Sequence, residues 1–449
     1  MPGAAGEQSP ARDAGGWRFI VRALEHRNYR LFFMGQGTSL IGTWLTRVAT
    51  GWLVYRLTSS AWLLGIITFC GQIPTFVLTP FAGVMVDRGD RRRILIVTQV
   101  LSMLQSFALA ALAIPHLITV WEVAALQLFQ GVINAFDTPA RQSFVVEMLE
   151  SREDLPNAIA LNSSMVNGAR LLGPSVAGVL ISAVGEGGCF LIDGFSYVAV
   201  VGSLLAMQIR PRARAAKQAR PVLGELRQGF EYVSRFAPVR AILLLLALVS
   251  LMGMPYTVLM PVMATQVLHG GPNALGFLMA ATGVGALVGA LFLASRKSVL
   301  GLGKTIVIAA ATFGAGLIAF ASSHVLWLSL PLLLVVGFGM MVEMAASNTL
   351  LQTMVDEEMR GRLMSFYTMA FMGTAPFGSL LAGALASRIG AQWTIAFGGI
   401  ACLVGAAFFA VRLPALRALV RPIYVRLGIL PVIAEGLQSE AELTQPSRT

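Results

Sequence analysis

A chain of 449 residues that is 56% hydrophobic and only 12% charged, with a mean hydropathy of +0.73, does not belong in water, where domains carry about 25% charged residues. The composition predicts an integral membrane protein. A net charge of +11 does not point to nucleic acid, because the basic residues sit between hydrophobic runs. Cys70, Cys189 and Cys402 each lie inside an apolar run, which excludes a disulfide framework or a zinc cluster on spacing. His26, His116, His269 and His324 fall near run ends, so neither a histidine relay nor any metal or cofactor site is expected.

In chain order, the first 27 residues are polar, glycine-rich and arginine-bearing, and they lack the apolar core of a cleavable signal. At about 20 apolar residues per crossing, twelve spans are predicted. They lie near 29–56, 61–86, 93–114, 117–137, 157–184, 188–209, 240–265, 273–295, 303–322, 325–349, 362–387 and 391–412. All but four of the 33 Lys and Arg residues fall at one face of that arrangement, the exceptions being Arg47, Arg56, Arg170 and Arg388. Cytoplasmic loops carry such an excess, so both termini are expected in the cytoplasm. Residues 222–236 suit an amphipathic helix on anionic lipid or, equally, a flexible tether. Arg417, Arg421 and Arg426 mark a similar basic surface helix, and the tail beyond Ile433 reads as disordered.

The chain repeats itself. Gly168, Gly173, Ala177, Gly178, Leu180, Ser182 and Gly185 recur 205 residues later as Gly373, Gly378, Ala382, Gly383, Leu385, Ser387 and Gly390. Upstream, at a register of 206, Gly131, Asp137, Ala140 and Met148 meet Gly337, Glu343, Ala346 and Met354. Small residues let helices approach closely in lipid, and duplicated bundles are common in secondary transporters. The expected fold is all-α, with twelve transmembrane helices in two pseudo-symmetric six-helix bundles. Its expected boundaries are an N-terminal segment 1–28, bundles 29–209 and 240–412, a linker 210–239 and a tail 413–449.

After the second span the chain reads GVMVDRGDRRR, Gly83 to Arg93. Gly83, Asp87, Arg88, Arg91 and Arg92 resemble the signature G-x-x-x-D-R-x-G-R-R of the major facilitator superfamily, with Asp90 where that family usually has glycine. The resemblance implies a loop that locks the cytoplasmic side shut. Its Asp would face a helix terminus of the other half and its Arg would pair an acid on the fourth span, for which Asp137 is the candidate. A degenerate copy, Ser295-Arg296-Lys297, follows the eighth span, with Glu343 matching Asp137. One charge cluster per half is therefore expected at the cytoplasmic gate.

In the fifth span, Gly173, Pro174 and Gly178 resemble the G-P-x-x-G-G-like motif of superfamily antiporters, with Ala177 replacing one glycine. Pro174 would bend the helix while the small residues present a smooth sliding face; ordinary tight packing is the alternative. Thr43–Trp62, Phe136–Leu149 and Ala160–Pro174 resemble the exporter branch that contains the enterobactin exporter and macrolide-efflux proteins.

Charges at membrane depth are costly without a cavity or a partner. Arg47, Glu122, Arg170 and Asp193 are therefore candidates for coupling or substrate contact, static pairing being the alternative. Gln36, Gln130 and Asn134, with Tyr256 and Met260, are the expected cavity lining, and methionine suits amphipathic substrates. Gly301-Leu302-Gly303-Lys304-Thr305 ends like a phosphate-binding loop, but Ser298 stands where its first glycine belongs and no strand precedes it. Energy should come from an ion gradient.

The expected function is secondary active export of a small amphipathic molecule, drug-like or siderophore-like, by alternating access and proton antiport. The protein is expected in the inner membrane of a bacterium, working as a monomer, with no nucleic-acid partner and no catalytic constellation. A gradient-independent facilitator or importer would share every packing motif. A non-transporting receptor is the third reading.

Overall fold

The computed structural model describes residues 22–149, 151–209, 222–296 and 298–426. Lys297, residues 210–221 of the linker, and the two ends lie outside the described residues. All regular structure among the described residues is helical.

We number the long helices α1 (Arg27–Thr58), α2 (Ala61–Arg88), α3 (Arg91–Ala113), α4 (Val120–Phe144), α5 (Leu155–Ala206) and α6 (Val222–Arg235). These are followed by α7 (Ala237–Val267), α8 (Pro272–Ala294), α9 (Leu302–Ala321), α10 (Leu326–Thr353), α11 (Met359–Ile389) and α12 (Ala391–Arg426). Local chemistry explains the corners. Ser60 caps α2 by accepting from the Leu63 amide at 3.3 Å. Asp90 caps α3 by accepting from the Arg93 amide at 3.2 Å, so the loop that lacks the expected glycine gains a helix cap instead. Gly185 takes φ +72 and breaks α5 into the predicted fifth and sixth spans, and its repeat mate Gly390 takes φ +86 between α11 and α12. A side chain strains both conformations.

Nine helices among the described residues are long and apolar enough to cross a membrane, against the twelve predicted. Two reasons account for the difference. The 52-residue α5 holds two predicted spans joined at Gly185. Helices α1 and α4, of 32 and 25 residues, are long enough, but Gln36, Arg47 and Arg56 on one, and Glu122, Gln127, Gln130, Asn134 and Asp137 on the other, dilute their apolarity. Helix α6 realises the amphipathic alternative for the linker. Helix α12 runs unbroken to Arg426, so the predicted surface helix at Arg417–Arg426 is its continuation. Trp62, Trp121, Trp327 and Trp393 are all exposed, each near the start of a helix at the arginine-poor end, as in an interfacial aromatic belt.

The repeat is legible in the packing. A Cβ built on Gly173 would lie 2.4 Å from the Trp44 Cβ on α1, and one on its mate Gly378 would lie 2.4 Å from the Leu251 oxygen on α7. One turn on, a Cβ on Gly178 would lie 2.8 Å from the Gly276 Cα on α8, and one on its mate Gly383 would lie 3.0 Å from the Gly65 Cα on α2. These last two crossings join the halves. Both lie near the arginine-poor end, and both admit no side chain.

Candidate functional site

At mid-depth the halves still touch, where Gly373 meets the Phe76 ring. Towards the arginine-rich end they part: a Cβ on Gly83 or Gly168 would meet nothing within 4 Å. Gly83 therefore serves no close packing in this state. The space between the bundles opens towards the arginine-rich face.

The loop after α2 is held within its own bundle. Arg91 donates to the Glu147 carboxylate at 2.8 Å and more weakly to Asp87 at 3.4 Å. Arg92 donates to the Leu204 and Leu205 carbonyls, both at 2.9 Å, at the end of α5, where a cation complements the helix dipole. The Asp87 side chain is 71% exposed and Arg88 is also exposed, so neither reaches the second half.

Asp137 is not the partner of the loop arginine. It is buried, accepting from Thr98 at 3.0 Å and Gln99 at 2.7 Å, and it is paired with Arg141 one turn along α4. The acid that Arg91 finds is Glu147, ten residues further on. That residue falls inside the stretch resembling exporters, but it has no repeat mate to mark it. Glu147→Gln is expected to weaken the loop's anchorage by about 0.5–1 kcal/mol, checked by a double-mutant cycle with Arg91→Ala in thermal unfolding; additive effects would exclude the pairing.

The second cluster differs more. Arg296 donates to Thr305 Oγ1 at 2.6 Å and to the Leu300 carbonyl at 3.1 Å, not to Glu343. Glu343 is 1% exposed and accepts only from Ser347, at 3.2 Å, while its other oxygen has no hydrogen-bond partner. Ser347 is the repeat mate of Arg141: the second half carries an acid at the matching position but a hydroxyl where the first half has a cation. Arg296 and Glu343 are therefore not paired in this structure, and Lys297 lies outside the described residues.

The charges at depth separate into three kinds. Glu122 belongs to a capping box at the start of α4, accepting from the Thr119 amide at 2.7 Å. Asp193 is buried, its carboxylate accepting from the Thr46 and Ser106 hydroxyls at 2.7 and 2.9 Å, while Ser196 donates to the Asp193 backbone carbonyl at 2.7 Å and stands 3.4 Å from the carboxylate; Asp193 has no ion pair among the described residues. Arg47 and Arg170 face the seam. The Arg47 guanidinium sits 4.9 Å over the Trp44 ring and is exposed. Arg170 is half-buried, within electrostatic reach of Arg47 and of Tyr256 from the second half. Neither arginine has a carboxylate partner among the described residues.

Of the expected cavity lining, Gln130 and Asn134 are half-exposed, with Gln130 donating to Ser102 and to Asn134 at 3.1 Å. Gln36, Tyr256 and Met260 are buried; the Tyr256 hydroxyl lies near Thr282 of its own half and Arg170 of the other without a well-formed hydrogen bond. In the antiporter-like motif, Gly173 seats Trp44, Gly178 and the Pro174 carbonyl meet Gly276, and Ala177 is fully buried.

One further anchor was not foreseen. Asp154, just before α5, pairs with Arg22 and accepts from or shares a proton with His26 Nε2 at 2.8 Å, tying the start of the described chain to the bundle. The His26 contact, helped by Arg22 against the opposing effect of burial, holds the Asp154 carboxyl below its usual range. A depressed folded-state value contributes stability above the unfolded value of about 3.9 and loses it as pH falls below that. Asp154→Asn is expected to cost about 1 kcal/mol at pH 7 and progressively less as pH falls below about 3.9, the difference vanishing only once pH is below the depressed folded-state value, read as the thermal midpoint against pH.

A family model described as transmembrane secretion effector matches residues 21–423. The chain belongs to that family, a branch of the major facilitator superfamily. Among its relatives, a staphyloferrin A transporter of Staphylococcus aureus is 24% identical over 83% of this chain and 93% of its own. A multidrug efflux pump, Tap, of Mycolicibacterium fortuitum is 29% identical over 80% of this chain and 88% of its own. Macrolide efflux protein A of Streptococcus pyogenes is 24% identical over 82% and 92%. A POT family transporter solved with 5-aminolevulinic acid shares the fold at a TM-score of 0.68 and 11% identity, over 87% of this chain and 96% of that one. The chain is therefore a multi-pass membrane transporter of an efflux family.

Proposed function

We propose that this protein exports a small amphipathic molecule across the bacterial inner membrane by alternating access, driven by proton antiport, as a twelve-span monomer without catalytic activity. The observation that supports this best is the asymmetry of the seam. Repeat-related glycines close the halves at the arginine-poor end, and the halves stand apart at the other. With arginine-rich loops in the cytoplasm, this is the state that loads from inside. Rocking about the seam would bring the Gly83–Arg93 loop onto the second half. Asp87, now exposed and held only by the long Arg91 contact, could turn to make that contact.

The two seam arginines bear on substrate class. Like charges without a counter-ion are costly where water is scarce, and an anionic group between them removes that cost. An acidic, siderophore-like molecule fits better than a lipophilic cation. Purified protein in liposomes under an imposed pH gradient tests the whole reading, with a carboxylate siderophore, a macrolide and a cationic dye as probes. Accumulation of the siderophore, abolished by a protonophore, is expected. Simple equilibration would favour a facilitator; no movement of any probe would leave only the fold.

A further inference from the structure

Beside the seam the second bundle holds a cavity of about 410 Å³ at its arginine-rich end, within the range of about 300–1,000 Å³ typical of ligand sites. Its walls come from the starts of α7 and α9 and the ends of α10 and α12, among them Ile242, Leu302, Leu350 and Leu416. No lining residue belongs to the first bundle, so rocking of the halves neither opens nor closes it.

Three cations ring it. Lys304 comes from the glycine-rich turn that imitates a phosphate-binding loop, and Arg417 and Arg421 stand one turn apart on α12. All three are exposed, none is in an ion pair among the described residues, and no acid lines the cavity. The nearby cleft under α6 is different: Glu231 and Asp356 there offset two of the three cations Arg235, Arg362 and Arg426. Only the first cavity joins an apolar interior to an unopposed positive rim.

Its depth fits that rim. Helix α12 has 36 residues, about 54 Å at 1.5 Å per residue, against a hydrocarbon layer of about 30 Å. Its last turns therefore reach headgroup level, where clustered cations attract anionic lipid. We infer that this cavity binds one anionic phospholipid of the adjoining leaflet, its acyl chain among Ile242, Leu302, Leu350 and Leu416 and its phosphate against Lys304, Arg417 and Arg421.

Native mass spectrometry of the full chain in mild detergent, with phosphatidylglycerol or phosphatidylcholine of matched acyl chains, tests this. Wild type is expected to retain one phosphatidylglycerol in preference to phosphatidylcholine. The Lys304→Gln/Arg417→Gln/Arg421→Gln variant should lose that preference by about a hundredfold, and Arg421→Gln alone by about fivefold. The single variant keeps the test readable if the triple variant fails to fold. Leu416→Trp, which fills the cavity and leaves the cations, should release both lipids. Equal retention of both lipids by wild type, or undiminished preference in the charge variants, would overturn the assignment. So would capture of free oleate in place of phospholipid.

Discussion

Replacing Gly178 with leucine is expected to reduce transport at least tenfold while the chain still inserts and purifies as a single species. The reason is geometric. A Cβ at Gly178 would lie 2.8 Å from the Gly276 Cα and 2.9 Å from the Pro272 carbonyl oxygen, and backbone atoms cannot step aside as a side chain can. Overpacking typically costs about 1–3 kcal/mol. Because this crossing joins the two halves, that cost falls on the closed state of the arginine-poor end and is relieved when the halves separate there. A one-sided penalty of that size moves a two-state equilibrium by about 5- to 150-fold. Gly383→Leu, at the repeat-related crossing with Gly65, should act alike. Gly83→Leu separates conformational blockade from misfolding: with nothing within 4 Å, it leaves this state undisturbed. Liposome transport with cysteine labelling of the arginine-poor end gives the readout. Normal transport by Gly178→Leu would show that the crossing does not break during the cycle.

The features legible in the sequence were those with a period or a copy. Apolar runs marked the spans, the 205-residue repeat marked the pairing of bundles, and arginine placement marked the faces. The glycines carried more than was read from them: Gly185 and Gly390 looked like the ends of packing motifs and are left-handed corners. Charge partners were less legible, because sequence registers which acids exist but not which bundle state brings them together. Asp137 was paired with the loop on analogy, yet Arg141 stands one turn away on the same helix and Glu147 lies nearer the loop. Glu122 looked like an intramembrane acid because the cap at Thr119 adjoins an apolar run. The Arg141-to-Ser347 exchange between repeats was visible as a residue pair, but it acquires meaning only beside a buried Glu343.

Asp193→Asn is expected to abolish proton-driven accumulation and to leave downhill exchange of the same substrate intact. Asp193 is 1% exposed, and Gly42 makes room for it: a Cβ there would lie 2.5 Å from Asp193 Oδ1. Its partners are hydroxyls from α1, α3 and its own helix, and hydroxyls rotate to donate to a carboxylate or to accept from a carboxylic acid. The pocket therefore serves both protonation states without moving a side chain, which an arginine partner would not allow. Asparagine has the same shape and keeps one acceptor, so folding should survive, but it cannot take up and release a proton. One proton moving down about 100 mV supplies about 2.3 kcal/mol, roughly a fifty-fold accumulation at one-to-one coupling, and the variant should fall to equilibration. Glu343→Gln gives the comparison, because that acid is equally buried but has a single hydroxyl partner and one bare oxygen. Accumulation unchanged in Asp193→Asn and lost in Glu343→Gln would move the carrier to the second bundle, where Ser347 stands in place of the cation that pairs with its counterpart Asp137.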